Sequence, residues 1–190
     1  TEVLLYLYIL DGEACLQKLI GFFGFAVYDS WENKTFIARD RMGIKPMFVY
    51  EDENCIAFAS EMKTLMALGI RKELDYVSLH QFLQLNYIPG PSTILKGVRK
   101  LLPGHQLRIS RESVCEESAW YSVPFNRLDT KSSPLSYDDA KTRLRNLVES
   151  AVEMRLVADV PLGAFLSGGI DSSVIVSQAS KHKKDLHTFS

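Results

Sequence analysis

Cysteine is scarce and unpatterned in this chain of 190 residues: Cys15, Cys55 and Cys115 are odd in number, far apart and never in C-x-x-C spacing. That excludes a disulfide framework and gives no support to a zinc site, so buried thiols are expected. Histidine is equally thin. His80, His105, His182 and His187 are scattered without metal-ligand spacing, and solvated or capping roles suffice for them. An excess of one charge is also missing: 22 Lys+Arg against 23 Asp+Glu leave a formal net charge of -1, so no basic field draws the chain to nucleic acid or anionic lipid. Long hydrophobic runs are absent too. The stretch Val3–Leu10 is far too short to span a bilayer and lacks the basic flank and cleavage site of a secretory signal. Neither an internal repeat nor a low-complexity tract is visible. A cytoplasmic protein without nucleic-acid or membrane partners is the expectation.

What is present is core-forming sequence. With 46% hydrophobic and 24% charged residues, a packed body of one or two domains is expected. The chain opens on "TEVLLYLYIL", already at full apolar density, with no initiator Met and no helix cap before it; the expectation is an internal piece of something longer.

Glu2–Leu10 and Glu13–Ile20 read as two short helices, and at Gly21 the period changes from helical to alternating. "FFGFAVYDS" and "TFIARD" flank a polar turn at 31–34, and "MFVYED" and "CIAFAS" flank Glu53-Asn54. These two hairpins of aromatic and β-branched residues predict one small antiparallel sheet. Helical periodicity returns over Glu61–Leu68, with Ser60 as the expected cap and Gly69 as the stop, and over Tyr76–Leu85, opened by Asp75. Pro89 and Pro91 then break the pattern, and His105–Ile109 reads as a strand.

Residues 122–135 are polar and aperiodic and are predicted to be a linker. Beyond it, Ser136 is placed to cap a helix whose residues Ala140, Leu144, Leu147, Val148, Ala151 and Val152 share one face, with Asp139 at the third helical position to bond back. The predicted organisation is thus 1–121, a linker over 122–135, and a second domain from 136 to 190.

"FLSGGIDSSVI" carries the strongest chemical signal. "PLGAFL" reads as a buried strand and "DSSVIVSQASKH" as the helix after it, so Ser167-Gly168-Gly169-Ile170 is a strand-to-helix loop. In an open α/β sheet such a loop lies where ligands bind, and the helix start offers unpaired N–H groups and a positive dipole end. An anion is the natural guest. Gly168 and Gly169 permit positive φ and leave no Cβ in the way, while Ser167, Ser172 and Ser173 add hydroxyl donors. A carboxylate beside a phosphate cradle repels its ligand unless a divalent cation intervenes, so Asp171 reads as a Mg²⁺ ligand; an ordinary helix N-cap is the other reading. No Lys follows the glycines, which excludes the Walker A pattern G-x-x-x-x-G-K-[ST].

Arg39, Asp40, Arg41 and Lys45 in "RDRMGIKP" are close enough to be catalytic or paired, and an ion-pair network fixing a turn between strands is the favoured expectation.

"LSGGIDSS" resembles the PP-loop S-G-G-x-D-S of the N-type ATP pyrophosphatases, and "RLVADVPLGAFLSGGIDSS" is similar to the glutamine-dependent asparagine synthetases in particular. "GFFGFAVYD", "ARDRMGIKP", "FASEMKTL" and "KLLPGH" resemble, in order, the latter part of that family's glutaminase domain. Leu102 departs from the pattern, standing where many relatives carry a second proline.

The resemblance implies an α+β first part, an incomplete N-terminal-nucleophile glutaminase sheet with helices, followed by the start of a doubly wound α/β nucleotide-binding domain. It implies ATP and Mg²⁺ as cofactors and glutamine and aspartate as substrates, the product asparagine forming through β-aspartyl-AMP with release of pyrophosphate. Ser167, Gly168, Gly169, Asp171, Ser172 and Ser173, with the backbone at Leu166, are implied to hold the β- and γ-phosphates, and Asp171 the metal. The glutaminase Cys, the glutamine-clamping Arg and the Asn-Gly oxyanion segment of the family lie outside this chain, so no catalytic residue of that half is expected within it. Thr1 falls in an internal helix of the family and is no nucleophile. A related adenylating amidotransferase or cyclase, or a nucleotide-binding homologue without turnover, are the alternatives, and a homodimer is left open.

Overall fold

The computed structural model describes residues 1–110, 115–124 and 135–190. They form two compact units, Thr1–Phe125 and Asn126–Ser190. In the first, α1 (Glu2–Asp11) leads through a 3₁₀ turn, Gly12–Ala14, into the short α2 (Cys15–Lys18). The second helix predicted from sequence, over Glu13–Ile20, thus forms as the end of this turn followed by α2, and stops at Lys18. Arg108 binds both carboxylate oxygens of Glu13, and Gln106 Nε2 donates to the same group at 3.1 Å, which bolts the turn to a strand.

Seven strands follow among the described residues of this unit: β1 (Gly24–Asp29), β2 (Lys34–Arg39), β3 (Phe48–Glu51), β4 (Ile56–Ala59), β5 (Val98–Lys100), β6 (His105–Ile109) and β7 (Cys115–Ala119). The hairpins β1–β2 and β3–β4 form as their sequences predict, but they do not share a sheet. One sheet runs β1-β2-β6-β7 and the other β4-β3-β5, all pairs antiparallel. Two-residue alternation explains the division. In β2, Ile37 faces a cluster with Met47, Val49, Leu101 and Leu107, which lies between the sheets. Its neighbours Phe36 and Ala38 face the opposite way, onto Cys15 and Leu16 of α2. In β3, Val49 points inward while Tyr50 packs with Leu65 of α3 (Met62–Ala67) and with Ile70, Leu95 and Val98. A strand with both faces buried needs apolar residues at successive positions. The result is a helix-sheet-sheet-helix stack.

Helix α3 starts from Glu61 in extended conformation with no side-chain cap, so Ser60 is not the cap expected of it. In α4 (Tyr76–Leu85) the expectation holds: Asp75 accepts from the amides of Val77 and Ser78, and Asn86 ends the helix in left-handed conformation. Cys15 is buried, Cys115 half-buried and Cys55 exposed, so the burial expected of all three thiols fails in the turn just before β4, where the chain meets solvent.

The turn at Asp40 is built differently from the expected ion-pair network. Asp40 is 1% exposed, and its carboxylate accepts from the amides of Phe23, Met42, Ile44 and Lys45 at 3.0–3.3 Å. Arg39 donates to three carbonyls, those of Lys45 (2.7 Å), Gly43 (2.6 Å) and Leu101. Arg41 reaches the carbonyls of Leu19 and Gln17 and lies over the rings of Trp120 and Tyr121, 5.0 and 5.4 Å from their centroids. These charges are matched by backbone dipoles and ring faces, because a turn leaves N–H and C=O groups unpaired that must find partners when buried.

The second unit holds α5 (Tyr137–Glu153), β8 (Gly163–Phe165), α6 (Ile170–His182) and β9 (His187–Phe189). β8 and β9 are parallel, joined through α6, which is one β-α-β step of an α/β sheet. Ser136 Oγ accepts from Asp139 N at 3.1 Å as predicted, while the Ser136 hydroxyl donates to the Asp139 carboxylate at 2.6 Å. Of the apolar stripe on α5, Val152 is buried and Leu144 and Leu147 stay exposed. The predicted linker falls mostly on residues outside the described ones; Ser122–Pro124 carry no regular structure.

Burial pushes the Asp40 carboxyl up, but its four backbone donors outweigh that and hold it below the ordinary carboxylate range. A group depressed in the fold contributes stability above its unfolded value, about 3.9, and loses it as pH falls through the folded value. Stability is therefore expected to drop below about pH 4. Asp40→Asn sets an NH₂ group against N–H donors and is expected to lower stability at pH 7 by roughly 2–4 kcal/mol and to flatten that acid limb, both read from urea denaturation. An unchanged midpoint at pH 7 would show that the turn carries no stability. At Gly43, where φ is +65°, an added Cβ would lie 2.8 Å from Pro103 Cγ and 3.1 Å from Arg39 Cζ. By the same measurement Gly43→Ala is expected to cost about 1–3 kcal/mol.

Candidate functional site

Chemistry-bearing residues of the second unit meet where β8 ends and α6 begins. Leu166 N donates to Phe189 O at 2.7 Å, so the backbone there is spoken for and fixes the point from which the chain turns. Gly168 adopts φ of +78°, and nothing lies within 4 Å of where its Cβ would sit. Positive φ is why glycine suits this position, and the open space beside it is room for a ligand. Gly169 follows as the N-cap of α6, at φ -78° and ψ 160°.

A glycine cap has no side chain to satisfy the helix start. Helices α4 and α5 have theirs filled by Asp75 and Ser136. At α6 the amides of Ile170, Asp171 and Ser172 meet no protein acceptor among the described residues. The hydroxyls converge as predicted, with one qualification. Ser167 Oγ and Ser172 Oγ are 3.3 Å apart, but Ser172 and Ser173 both donate to Gly169 O, at 3.0 and 2.8 Å. Such back-bonding is the ordinary local option for serine near a helix start.

Asp171 is exposed in the first turn and makes no hydrogen bond or ion pair among the described residues. It is not the helix cap, since Gly169 holds that place. Among the described residues no group of three or more His, Cys, Asp or Glu could hold a metal ion. A lone carboxylate suits magnesium that takes most of its ligands from phosphate oxygens and water, so the donor set fits a nucleotide-borne ion.

Beside the loop lies a hollow of about 340 Å³ lined by Gly168, Ile170, Ser173, Val174, Ser177 and Gln178. Sequence reasoning did not single out Ser177 or Gln178. Their spacing from Ser173 and Val174 places them on the loop's side of α6, a signal legible once the helix is accepted.

Elsewhere the candidates remain structural. Arg39, Asp40 and Arg41 hold backbone, and Lys45 contributes its own N–H and C=O to that turn. His105 Nδ1 is 2.9 Å from Glu117, and His182 lies 3.6 Å from Glu149 and 3.9 Å from Glu153; these are separate, single-histidine contacts. No described helix is long and apolar enough to cross a membrane.

Comparison with known proteins adds the following. Residues 1–121 match the glutamine amidotransferase domain family, and residues 143–190 match the asparagine synthase family. Asparagine synthetase [glutamine-hydrolyzing] 3 of Bacillus subtilis is 37% identical over all of this chain and 31% of its own length. A putative asparagine synthetase [glutamine-hydrolyzing] of Mycobacterium tuberculosis is also 37% identical, over 94% of the chain and 28% of its own. Amidase chry2 of Gibberella zeae is 31% identical over 94% of the chain and 26% of its own. The chain thus spans about a third or less of these relatives. Among solved structures, the glutamine phosphoribosylpyrophosphate amidotransferase of B. subtilis covers the whole chain with 38% of its own at 17% identity and a TM-score of 0.45, too low to argue from. By its longest family match, the chain belongs to the glutamine amidotransferase domain family, with a segment of the asparagine synthase family behind it.

Proposed function

We propose that this chain is part of a glutamine-dependent asparagine synthetase, in which residues 1–121 belong to the glutaminase, 122–135 link, and 136–190 begin the ATP-using domain. One observation carries the reading: α6 opens on a glycine N-cap whose neighbouring amides lack acceptors among the described residues, shortly after a strand of a parallel pair. The family matches and the relatives' names support the choice of substrates. In this reading Gly168, Gly169 and the first amides of α6 take the β- and γ-phosphates, with Ser167, Ser172 and Ser173 as hydroxyl donors. Asp171 would hold magnesium, which when bound would supply charge neutralisation at the phosphates. The protein's own part is to aim fixed dipoles at the charge that grows as the aspartate carboxylate attacks the α-phosphorus. Ammonia from glutamine then displaces AMP. A cytoplasmic location goes with this assignment.

A second reading rests on the Gibberella zeae relative, which is named an amidase. The same ATP loop would then activate another carboxylate.

Full-length protein given ATP, Mg²⁺, aspartate and glutamine or ammonia is expected to form AMP, pyrophosphate and asparagine in equal amounts. ADP in place of AMP would overturn the assignment, and AMP formation that ignores aspartate would favour the second reading. Asp171→Ala is expected to lower aspartate-dependent pyrophosphate release on the order of 10²-fold or more while glutamine hydrolysis persists. Parallel loss of both activities would contradict the role given to Asp171.

A further inference from the structure

Across β2, β6 and β7 the ladder sets Phe36 opposite Arg108, and Arg108 opposite Glu116. Partners in register share one face of a sheet, so this row lies on the side where Phe36 meets the helices, and Lys34, two residues before Phe36, shares it. Helix α1 covers one end of the row: Tyr8 stacks on Phe36 with ring centroids 5.5 Å apart. The 3₁₀ turn covers the middle, where Glu13 holds Arg108 by Nε and Nη2. Glu13 and Arg108 are 95 residues apart, and only the fold groups these charges.

Between these elements lies a hollow of about 490 Å³, within the range of small-molecule sites, roughly 300–1,000 Å³. Tyr8, Glu13, Lys34, Arg108 and Glu116 all face it. Its lining keeps uncommitted groups of both charges. Arg108 Nη1 makes no hydrogen bond among the described residues and lies 3.8 Å from Glu116 Oε2, beyond hydrogen-bond reach. That contact is the one ionic contact of Glu116 among the described residues. Lys34 Nζ donates to Glu32 at 2.7 Å, an exposed pair of small strength that leaves the other ammonium protons available. The Tyr8 hydroxyl meets no protein partner among the described residues, and burial, reinforced by Glu13, raises its pKa so that it stays a donor.

These groups select a class of ligand. Glu13, Glu32 and Glu116 together repel a phosphate or another dense anion, and among the described residues no set of three or more His, Cys, Asp or Glu could hold a metal ion. Glu116 offers an acceptor for an ammonium, while Arg108 Nη1 and Lys34 Nζ offer donors for a carboxylate. A molecule carrying an ammonium and a carboxylate on one carbon answers both and adds no net charge.

We propose that this hollow binds a free α-amino acid as its zwitterion. The ligand carboxylate accepts from Arg108 Nη1 and Lys34, its ammonium donates to Glu116, and its side chain lies toward Tyr8. The site is built wholly from the first unit and needs neither ATP nor the loop at Gly168.

The test is isothermal titration calorimetry of full-length protein with glycine, L-serine and L-leucine, none of them a substrate or product in the function proposed above. At least one is expected to bind in the millimolar range, and its N-acetylated and amide forms, each lacking one charge, are expected not to. Glu116→Gln and Lys34→Met change side chains that are 65% and 58% exposed, so the urea midpoint is expected to stay in place. Each is expected to weaken binding on the order of tenfold. Absence of millimolar binding by all three amino acids would overturn the proposal, as would equal binding of the blocked forms or an unchanged Kd in both variants. None of these readouts involves AMP or pyrophosphate, so the outcome is separate from that of the asparagine synthetase reading.

Discussion

A buried carboxylate organises the first unit. Asp40 gathers the amides of Phe23, Met42, Ile44 and Lys45 around one charge, so the segment before β1 and the turn after β2 are held by a single side chain. Four donors converge on it because the chain must leave one sheet at Arg39 and enter the other at Phe48, and the intervening turn has no ladder to satisfy its backbone. Arg39 settles the complementary account, collecting the turn's carbonyls. Without this pair the crossing from sheet to sheet would bury unpaired polar groups beside Met47 and Leu101, within the central cluster. The two-sheet arrangement, and through it the packing of helices on either side, follows from that crossing.

The loop of the second unit is the converse case. There, too, a chain turn frees backbone N–H groups, but no side chain among the described residues caps them, and the nearby Asp171 is exposed to solvent. Solvent can serve those amides at little cost as long as they stay exposed. The same elementary requirement is met internally at the Asp40 turn and left to solvent at the start of α6, where the proposed function has an anion bind.

Much of this was legible in the residues. The strands within "FFGFAVYDS" and "TFIARD", the cap at Asp75, the cap at Ser136, and the strand-glycine-helix order around Gly168 all stand in the structure as read. These are local signals, set by neighbours in sequence. What was not legible depended on distant partners. Whether two hairpins share a sheet is decided by β5 and β6, which lie far along the chain and pair with β3 and β2. The charges of "RDRMGIKP" looked like partners for one another because nothing in a sequence shows which carbonyls will be stranded within reach. Ser60 sits in a good capping position, yet the strand before it leaves Glu61 extended at the helix start. In the loop, the hydroxyl count was right, while the turning of Ser172 and Ser173 toward Gly169 O is a matter of rotamer.

Two tryptophans occupy opposite surroundings. Trp31 stands 97% exposed at the tip of the β1–β2 hairpin, whereas Trp120 is stacked on Phe23 at 6.0 Å between centroids, lies under Arg41, and donates its indole N–H to Arg39 O at 3.1 Å. Emission from Trp31 is that of indole in water whether the hairpin is folded or not, so it serves as a constant background. Changes in tryptophan emission, excited selectively over tyrosine, then report on the neighbourhood of Trp120, which gives the protein a native optical gauge of the Arg39–Arg41 turn without any attached dye.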